Sequence, residues 1–256
     1  MKKYVYFLCA CSIISGCNST EEVETMINDT PEKDTTLIAD TLIDEIEPVE
    51  EIIIDSLEQS IIDAGLINIQ DSIPGILVEL KYATNDNFMD TNVYGNLKRC
   101  YLQPEVVMSL KKCQEYLQSK DSALTLLVYD GVRPRSVQQF MWDYLDMPIH
   151  EKTKFVSNPA NGSLHNYGAA VDLTIATIDG IPLDMGAGYD DIRKIAYPRH
   201  EKAYLDSGMI TQEHIDNRNL LRETMKAGGF WGIQTEWWHF NRYNREKAKE
   251  LYDIVE

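Results

Sequence analysis

The chain has 256 residues, of which 44 % are hydrophobic and 25 % charged, and its formal net charge is −17. That length suffices for one domain with a real core, and the acidic balance leaves no basic footprint for nucleic acid. The charge is uneven: residues 18–60 hold fourteen acidic residues and one basic residue, Lys33, whereas residues 61–256 hold 27 acidic and 21 basic.

Lys2 and Lys3 precede an apolar run over residues 4–14, too short to span a membrane. Ile14-Ser15-Gly16-Cys17 then looks like a bacterial lipobox. Residues 1–17 are therefore read as a lipoprotein signal ending at Cys17, which becomes the lipidated N-terminus and attaches the chain to a membrane. This implies an exported, anchored protein of the periplasm or cell envelope. Residues 18–60 repel one another and contain no aromatic side chain, which is the composition of a disordered acidic tether. Ile52-Ile53-Ile54 and Ile61-Ile62 are the candidates in this region for a first ordered element. The folded domain is expected over residues 61–256.

Within that domain, residues 76–82 alternate like a strand after the turn signal Pro74-Gly75. Gln103-Pro104-Glu105 opens a helix running to about residue 119. Residues 123–129 form a continuous apolar run, as in a buried central strand. Asp130-Gly131-Val132-Arg133-Pro134 breaks it, and a helix follows over residues 136–146. Residues 169–175 read as a second central strand. Residues 212–226 read as a helix stopped by Gly228-Gly229. Short strands are expected over 230–233 and 237–240, and a last helix over 244–252. Without a regular βαβ rhythm, the fold class is α+β: a single domain with a mainly antiparallel central sheet flanked by helices. Cys100 and Cys113 fall in this domain. Outside the cytoplasm they are free to pair, yet Cys113 shares a helix face with Val106, Leu110 and Leu117 and reads equally as core.

Of the five histidines, His165 and His239 have acidic residues at short spacing in strand-like context. Asp172 follows Ala169-Ala170-Val171, where a carboxylate is costly unless paired or metal-bound. Two imidazoles, one carboxylate that can ligate and one spare carboxylate, Glu236, are what a catalytic zinc needs: three ligands, an open position for water and a base. Glu236 and His239 would share a face on a helix but point apart on a regular strand. Glu236 is therefore expected at a bend or strand entrance.

Ser163-x-His165-x-x-Gly168-x-Ala170-x-Asp172 followed by Glu236-x-x-His239 resembles the zinc D-alanyl-D-alanine dipeptidases of the VanX type, in the peptidase M15 family. It is more distantly similar to zinc D,D-carboxypeptidases. Lys81-Tyr82-Ala83-Thr84-Asn85-Asp86-Asn87-Phe88, Asp130-Gly131-Val132-Arg133-Pro134 and Asp184-Met185-Gly186-Ala187-Gly188-Tyr189-Asp190 resemble three further segments of the dipeptidase branch, with Val132 where an aromatic is common. The resemblance spans about residues 76–240. It implies a hedgehog/D,D-peptidase-like fold and one Zn2+ per chain held by His165, Asp172 and His239. It further implies that Glu236 is the general base and that Arg133, with Arg135 as its nearby competitor, stabilises charge on the attacked carbonyl. Asp190 and Ser163 would meet a substrate ammonium, and Tyr82 would line the pocket of a D,D-dipeptide. The rival readings are a D,D-carboxypeptidase of peptidoglycan stem peptides and a non-catalytic zinc-binding module, which would need neither Glu236 nor Arg133. An exported enzyme of this kind meets wall fragments rather than cytoplasmic precursors. Nothing in the sequence speaks to self-association.

Overall fold

The computed structural model describes residues 55–153 and 155–256. The expected signal, the lipobox Cys17 and the tether up to residue 54 lie outside the described residues. The expected tether boundary at residue 60 needs correction, because helix α1 (Ser56–Asp63) begins before it. Asp55 caps this helix by accepting from the Glu58 N–H at 2.9 Å, and Ile61 is fully buried. Glu58, an acid counted toward the tether, is 3 % exposed. It accepts from Arg99 Nε at 2.6 Å and from the Tyr101 hydroxyl at 2.7 Å. Net charge did not keep this segment unfolded because its buried acid is paired.

The chain continues through β1 (Ile67–Asn68), α2 (Ile69–Ser72), β2 (Leu77–Val78), β3 (Tyr101–Leu102), α3 (Pro104–Lys120), β4 (Leu124–Asp130), α4 (Arg135–Tyr144) and α5 (Ile149–Lys152). It ends with β5 (Ala170–Thr177), α6 (Glu201–Asp206), α7 (Gln212–Ala227), β6 (Trp231–Gly232), β7 (His239–Asn241) and α8 (Arg245–Leu251). The strand expected over 76–82 is only β2. After it, residues Lys81–Ala83 turn into a 3-10 helix that carries Tyr82 to 3 % exposure. The central sheet has the order β2-β4-β5-β7-β6. Its β2–β4 pair is parallel and the others are antiparallel. β1 and β3 form a separate antiparallel pair. The fold is α+β with a mainly antiparallel sheet, as the element pattern predicts.

One face of β4 and β5 supplies Leu126, Val128, Val171, Leu173 and Ile175 to the main core, together with Leu110 and Leu117 of α3 and Leu221 and Met225 of α7. Each such side chain contributes about 1.5–3 kcal/mol by burial. α7 ends against α3 so closely that a Cβ on Gly228 would lie 2.2 Å from the Ser109 carbonyl oxygen. The other face carries Leu127, Tyr129 and Ala176 in a small cluster of their own, beside Asp172 and Thr174. Cys100 and Cys113 are free thiols, both buried, so the core reading holds for Cys113. Burial raises both thiols, Cys113 to about 12, and keeps them protonated and unreactive.

Candidate metal centre and pocket

Strand register builds the site. Asp172 of β5 is the Cα partner of His239 of β7 and of Asp130 of β4. These three side chains therefore form one row across three strands. A bulge between Val128 and Asp130 shifts the β4–β5 register by one residue. Without it Tyr129 would face Asp172. With it, Asp130 takes that place and reaches Arg133, while Tyr129 packs on Tyr189 with centroids 5.0 Å apart.

His165 arrives from the preceding 3-10 turn, His165–Tyr167, which ends at Gly168 in the left-handed region, φ 62°. A Cβ there would meet Leu66 Cδ2 at 2.6 Å and the Gln103 backbone nitrogen at 3.3 Å. The motif glycine is thus required both by its backbone angle and by the close approach of β3's following residue, whose N–H donates to the Gly168 carbonyl at 3.1 Å.

One ligand atom from each of His165, Asp172 and His239 lies within 4.8 Å of the other two. His165 Nδ1 donates to the Gly131 carbonyl at 2.7 Å, which leaves Nε2 as the lone-pair atom. His239 Nε2 donates to Asn241 Oδ1 at 2.8 Å, which leaves Nδ1. These atoms are 3.1 Å apart. Asp172 Oδ1 is 2.9 Å from His239 Nδ1 and 3.4 Å from His165 Nε2. Two imidazoles and a carboxylate, in a site where His165 and Asp172 are each 4 % exposed, thus turn one ligand atom apiece toward a common point. The fixed tautomers are those of metal-ligating histidines oriented by outer partners. Burial disfavours the Asp172 anion, but the charge and hydrogen bonds of His165 and His239 outweigh it and hold its carboxyl far below the usual range. Burial likewise pulls His239 down, while the hydrogen bond and charge of Asp172, aided by Glu236, raise it to about 9. The remaining Asp172 oxygen, Oδ2, accepts from the Tyr189 hydroxyl at 3.1 Å.

Glu236 sits in the irregular segment before β7, the bend that the sequence required. Its Oε2 is 4.0 Å from His239 Nδ1. Burial and the charge of Asp172 raise its carboxyl above the usual range.

A cavity of about 430 Å³ opens onto these residues, and it is lined also by Tyr82, Arg133, Ser163 and Asp190. Every site residue expected from sequence in the described part of the chain therefore borders one pocket. Arg135 does not; it pairs with Glu256 at the chain's end. Arg133 is 7 % exposed, forms an ion pair with Asp130 and stacks over the Tyr82 ring at 4.8 Å. Its Nε is buried without a partner. The Tyr82 hydroxyl donates to Asp190 Oδ1 at 3.2 Å, while Asp190 Oδ2 is buried and unpartnered. Burial, then the charge of Asp172, pushes the Asp190 carboxyl up to about 8. Asp190 adopts φ 58°, so it sits in a left-handed turn.

The polarity of Ser163 is forced. The Gln138 amide nitrogen donates to the Ser157 carbonyl at 2.8 Å. Gln138 Oε1 therefore faces inward and accepts the Ser163 hydroxyl proton at 2.8 Å. Asn166 fixes the same corner, donating to the Arg133 carbonyl at 2.6 Å and accepting from the Ser163 N–H at 2.6 Å. Ser163 thus offers the pocket only lone pairs, and a ligand group facing it must be a donor.

Sequence reasoning missed Asp130, the 0 %-exposed anchor of Arg133 that also lies 3.6 Å from His165 Nδ1. The signal was there: an aspartate ending an apolar run, the same cost that singles out Asp172. Tyr189 and Gln138 gave no such signal, because each acts through a partner distant in sequence, whereas Asn241 stands only two residues after its partner His239 and was simply not considered.

A family model described as D-ala-D-ala dipeptidase, of peptidase M15, matches residues 62–255. A D-alanyl-D-alanine dipeptidase of Escherichia coli (strain K12) is 34 % identical over 175 residues, covering 68 % of this chain and 83 % of its own. One from Enterococcus faecium is 27 % identical over 210 residues, 75 % of this chain and 98 % of its own. A solved vancomycin resistance D,D-pentapeptidase VanY mutant in complex with Zn(II) aligns with 60 % of this chain and 79 % of its own at 15 % identity, with a TM-score of 0.36.

Replacing Gly168 by Ala is expected to destabilise the domain by about 1–3 kcal/mol, from left-handed strain and crowding together. Urea unfolding followed by circular dichroism measures this, and an unchanged midpoint would contradict the role given to the glycine.

Proposed function

The chain belongs to the D-Ala-D-Ala dipeptidase family of M15 peptidases, and on that footing we propose that it is a zinc-dependent dipeptidase that hydrolyses D-Ala-D-Ala with Glu236 as general base. The observation that carries this reading is the convergence of His165 Nε2, Asp172 Oδ1 and His239 Nδ1 beside a pocket lined by a separate carboxylate, Asp190, whose Oδ2 is buried without a partner. Zinc suits the donor set. Tetrahedral bonds of about 2.0–2.1 Å separate ligand atoms by roughly 3.3 Å, and the three separations here are 2.9, 3.1 and 3.4 Å. When bound, the ion would supply Lewis acidity and bring the pKa of a water in its open position to about 7.

The chain's own groups do the rest. Glu236, with its carboxyl raised, takes a proton from the attacking water and returns it to the leaving amine, and a raised pKa eases the second transfer. Arg133, buried and held by Asp130, stabilises the negative charge that develops on the peptide oxygen. Asp190 and Ser163 supply acceptors for the substrate ammonium, and the buried charge of Asp190 is compensated when the ammonium arrives. Cys17 and the segment before it support export and lipid attachment, so the substrate pool would be wall fragments outside the cytoplasm.

Free D-Ala-D-Ala is expected to be hydrolysed, and hydrolysis to stop with a chelator. Glu236→Gln should lower kcat by about 10²–10⁴-fold while one zinc per chain remains by elemental analysis. Release of terminal D-Ala from a stem pentapeptide, with the free dipeptide left intact, would instead establish the carboxypeptidase reading.

Asp190→Asn keeps a side chain that tolerates the left-handed turn and removes the charge. It should cut kcat/KM for the free dipeptide by about tenfold or more, the worth of a charged hydrogen bond, and leave an N-acetylated dipeptide unaffected. Stability should move the other way. The native Asp190 carboxyl binds its proton more tightly than the unfolded one, so its contribution to stability is lost as pH rises from about 4 to about 8. In chelator-treated protein, Asp190→Asn should match the wild type near pH 4 and exceed it increasingly up to pH 8. Parallel stability curves for the two proteins would contradict this.

Cys17→Ala is expected to abolish labelling by radioactive palmitate and to shift the protein out of the membrane fraction. Unprocessed wild-type protein in the cytosol would overturn the anchoring proposal.

A further inference from the structure

A free dipeptide carries a carboxylate as well as an ammonium, and a site that reads both ends needs a cation for the first. Resting on the dipeptidase reading above, we propose that Arg245, assisted by the amide group of Asn241, receives the substrate's C-terminal carboxylate and so selects for a free C-terminus.

Among the described residues, two cationic side chains line the pocket, Arg133 and Arg245. Arg133 is committed elsewhere. It pairs with Asp130 and lies over Tyr82, whose hydroxyl meets Asp190. A carboxylate brought there would meet the Asp190 carboxyl, another acid that already takes the Tyr82 hydroxyl. The pocket hydroxyls just described are also unsuitable: Ser163 gives its proton to Gln138, and Tyr82 gives its proton to Asp190.

Arg245 is the first residue of α8. It follows β7 in sequence, and its Nη1 donates to the Asn161 carbonyl at 2.8 Å. This contact tethers the guanidinium to the loop that leads into Ser163, while Nε and Nη2 have no partner among the described residues. A guanidinium with two such N–H groups free matches a carboxylate in a bidentate manner. Asn241, 7 % exposed, lines the same pocket. Its oxygen accepts from His239 Nε2 at 2.8 Å, so its NH2 group is left as a donor. A planar cation and an oriented amide donor thus border one pocket with Asp190, a carboxylate from a different loop whose Oδ2 has no partner. This is the charge pattern of a free dipeptide.

The test compares D-Ala-D-Ala with its C-terminal amide, D-alanyl-D-alaninamide, on the full protein and on Arg245→Ala and Arg245→Lys. With wild-type protein the amide should show a KM about tenfold above that of the free acid, as for loss of one charged hydrogen bond. Arg245→Ala should raise KM for the free acid by a similar factor with kcat within twofold, and leave the amide's KM unchanged. Arg245→Lys should restore part of the free-acid affinity. If Arg245→Ala raises KM for acid and amide alike, or for neither, the carboxylate role is overturned. If wild-type protein hydrolyses neither substrate, it is the dipeptidase reading that fails.

Discussion

The site depends on one cross-strand row. β5 brings Asp172 level with His239 on one side and Asp130 on the other. Two of these residues are acids at 0 and 4 % exposure. Taking a carboxylate out of water costs several kcal/mol after relaxation, so a row of this kind persists only when each acid is matched by positive charge or donors. Asp130 is matched by Arg133 and by the Tyr94 hydroxyl at 2.6 Å. Asp172 is matched by Tyr189 on one oxygen and by the two imidazoles on the other. The same desolvation that makes the row costly makes it a strong receptor for a divalent cation.

The rest of the fold holds this row in place. The main core ties α3 and α7 to one face of β4 and β5, and it frees the other face for polar work. The bulge before Asp130 sets that residue, and not Tyr129, level with Asp172. Gly168 lets the chain reverse between His165 and β5, so that a turn residue and a strand residue meet over a short sequence distance. The C-terminal residues close the corner: Val255 N–H donates to the Asn166 carbonyl and Arg135 N–H to the Val255 carbonyl. The two loops carrying Arg133 and His165 are thereby fastened to one strap.

Much of this was legible in the sequence, and for identifiable reasons. α3, β4, β5 and α7 are long, strongly patterned segments with clear stops, so periodicity places them within a residue or two. The metal cluster was legible because each member breaks a local rule, with a charged or titratable residue inside apolar surroundings. The short strands β1 and β3 were not legible, because two-residue pairings leave no period to read, and β2 is shorter than the strand its alternation suggested. α1 was hidden in acidic composition, since only tertiary contact shows that Arg99 and Tyr101 neutralise Glu58. The bulge and the forced polarity of Ser163 depend on which groups meet across the fold, and spacing does not encode that. The free state of Cys100 and Cys113 was one of two readings the sequence left open.

The most direct measurement is a crystal structure of the zinc-loaded protein with anomalous scattering recorded on both sides of the zinc edge. One anomalous peak per chain, bonded to His165 Nε2, Asp172 Oδ1 and His239 Nδ1, is the predicted result. Zinc located elsewhere, or held through the opposite nitrogens of those rings, would contradict it.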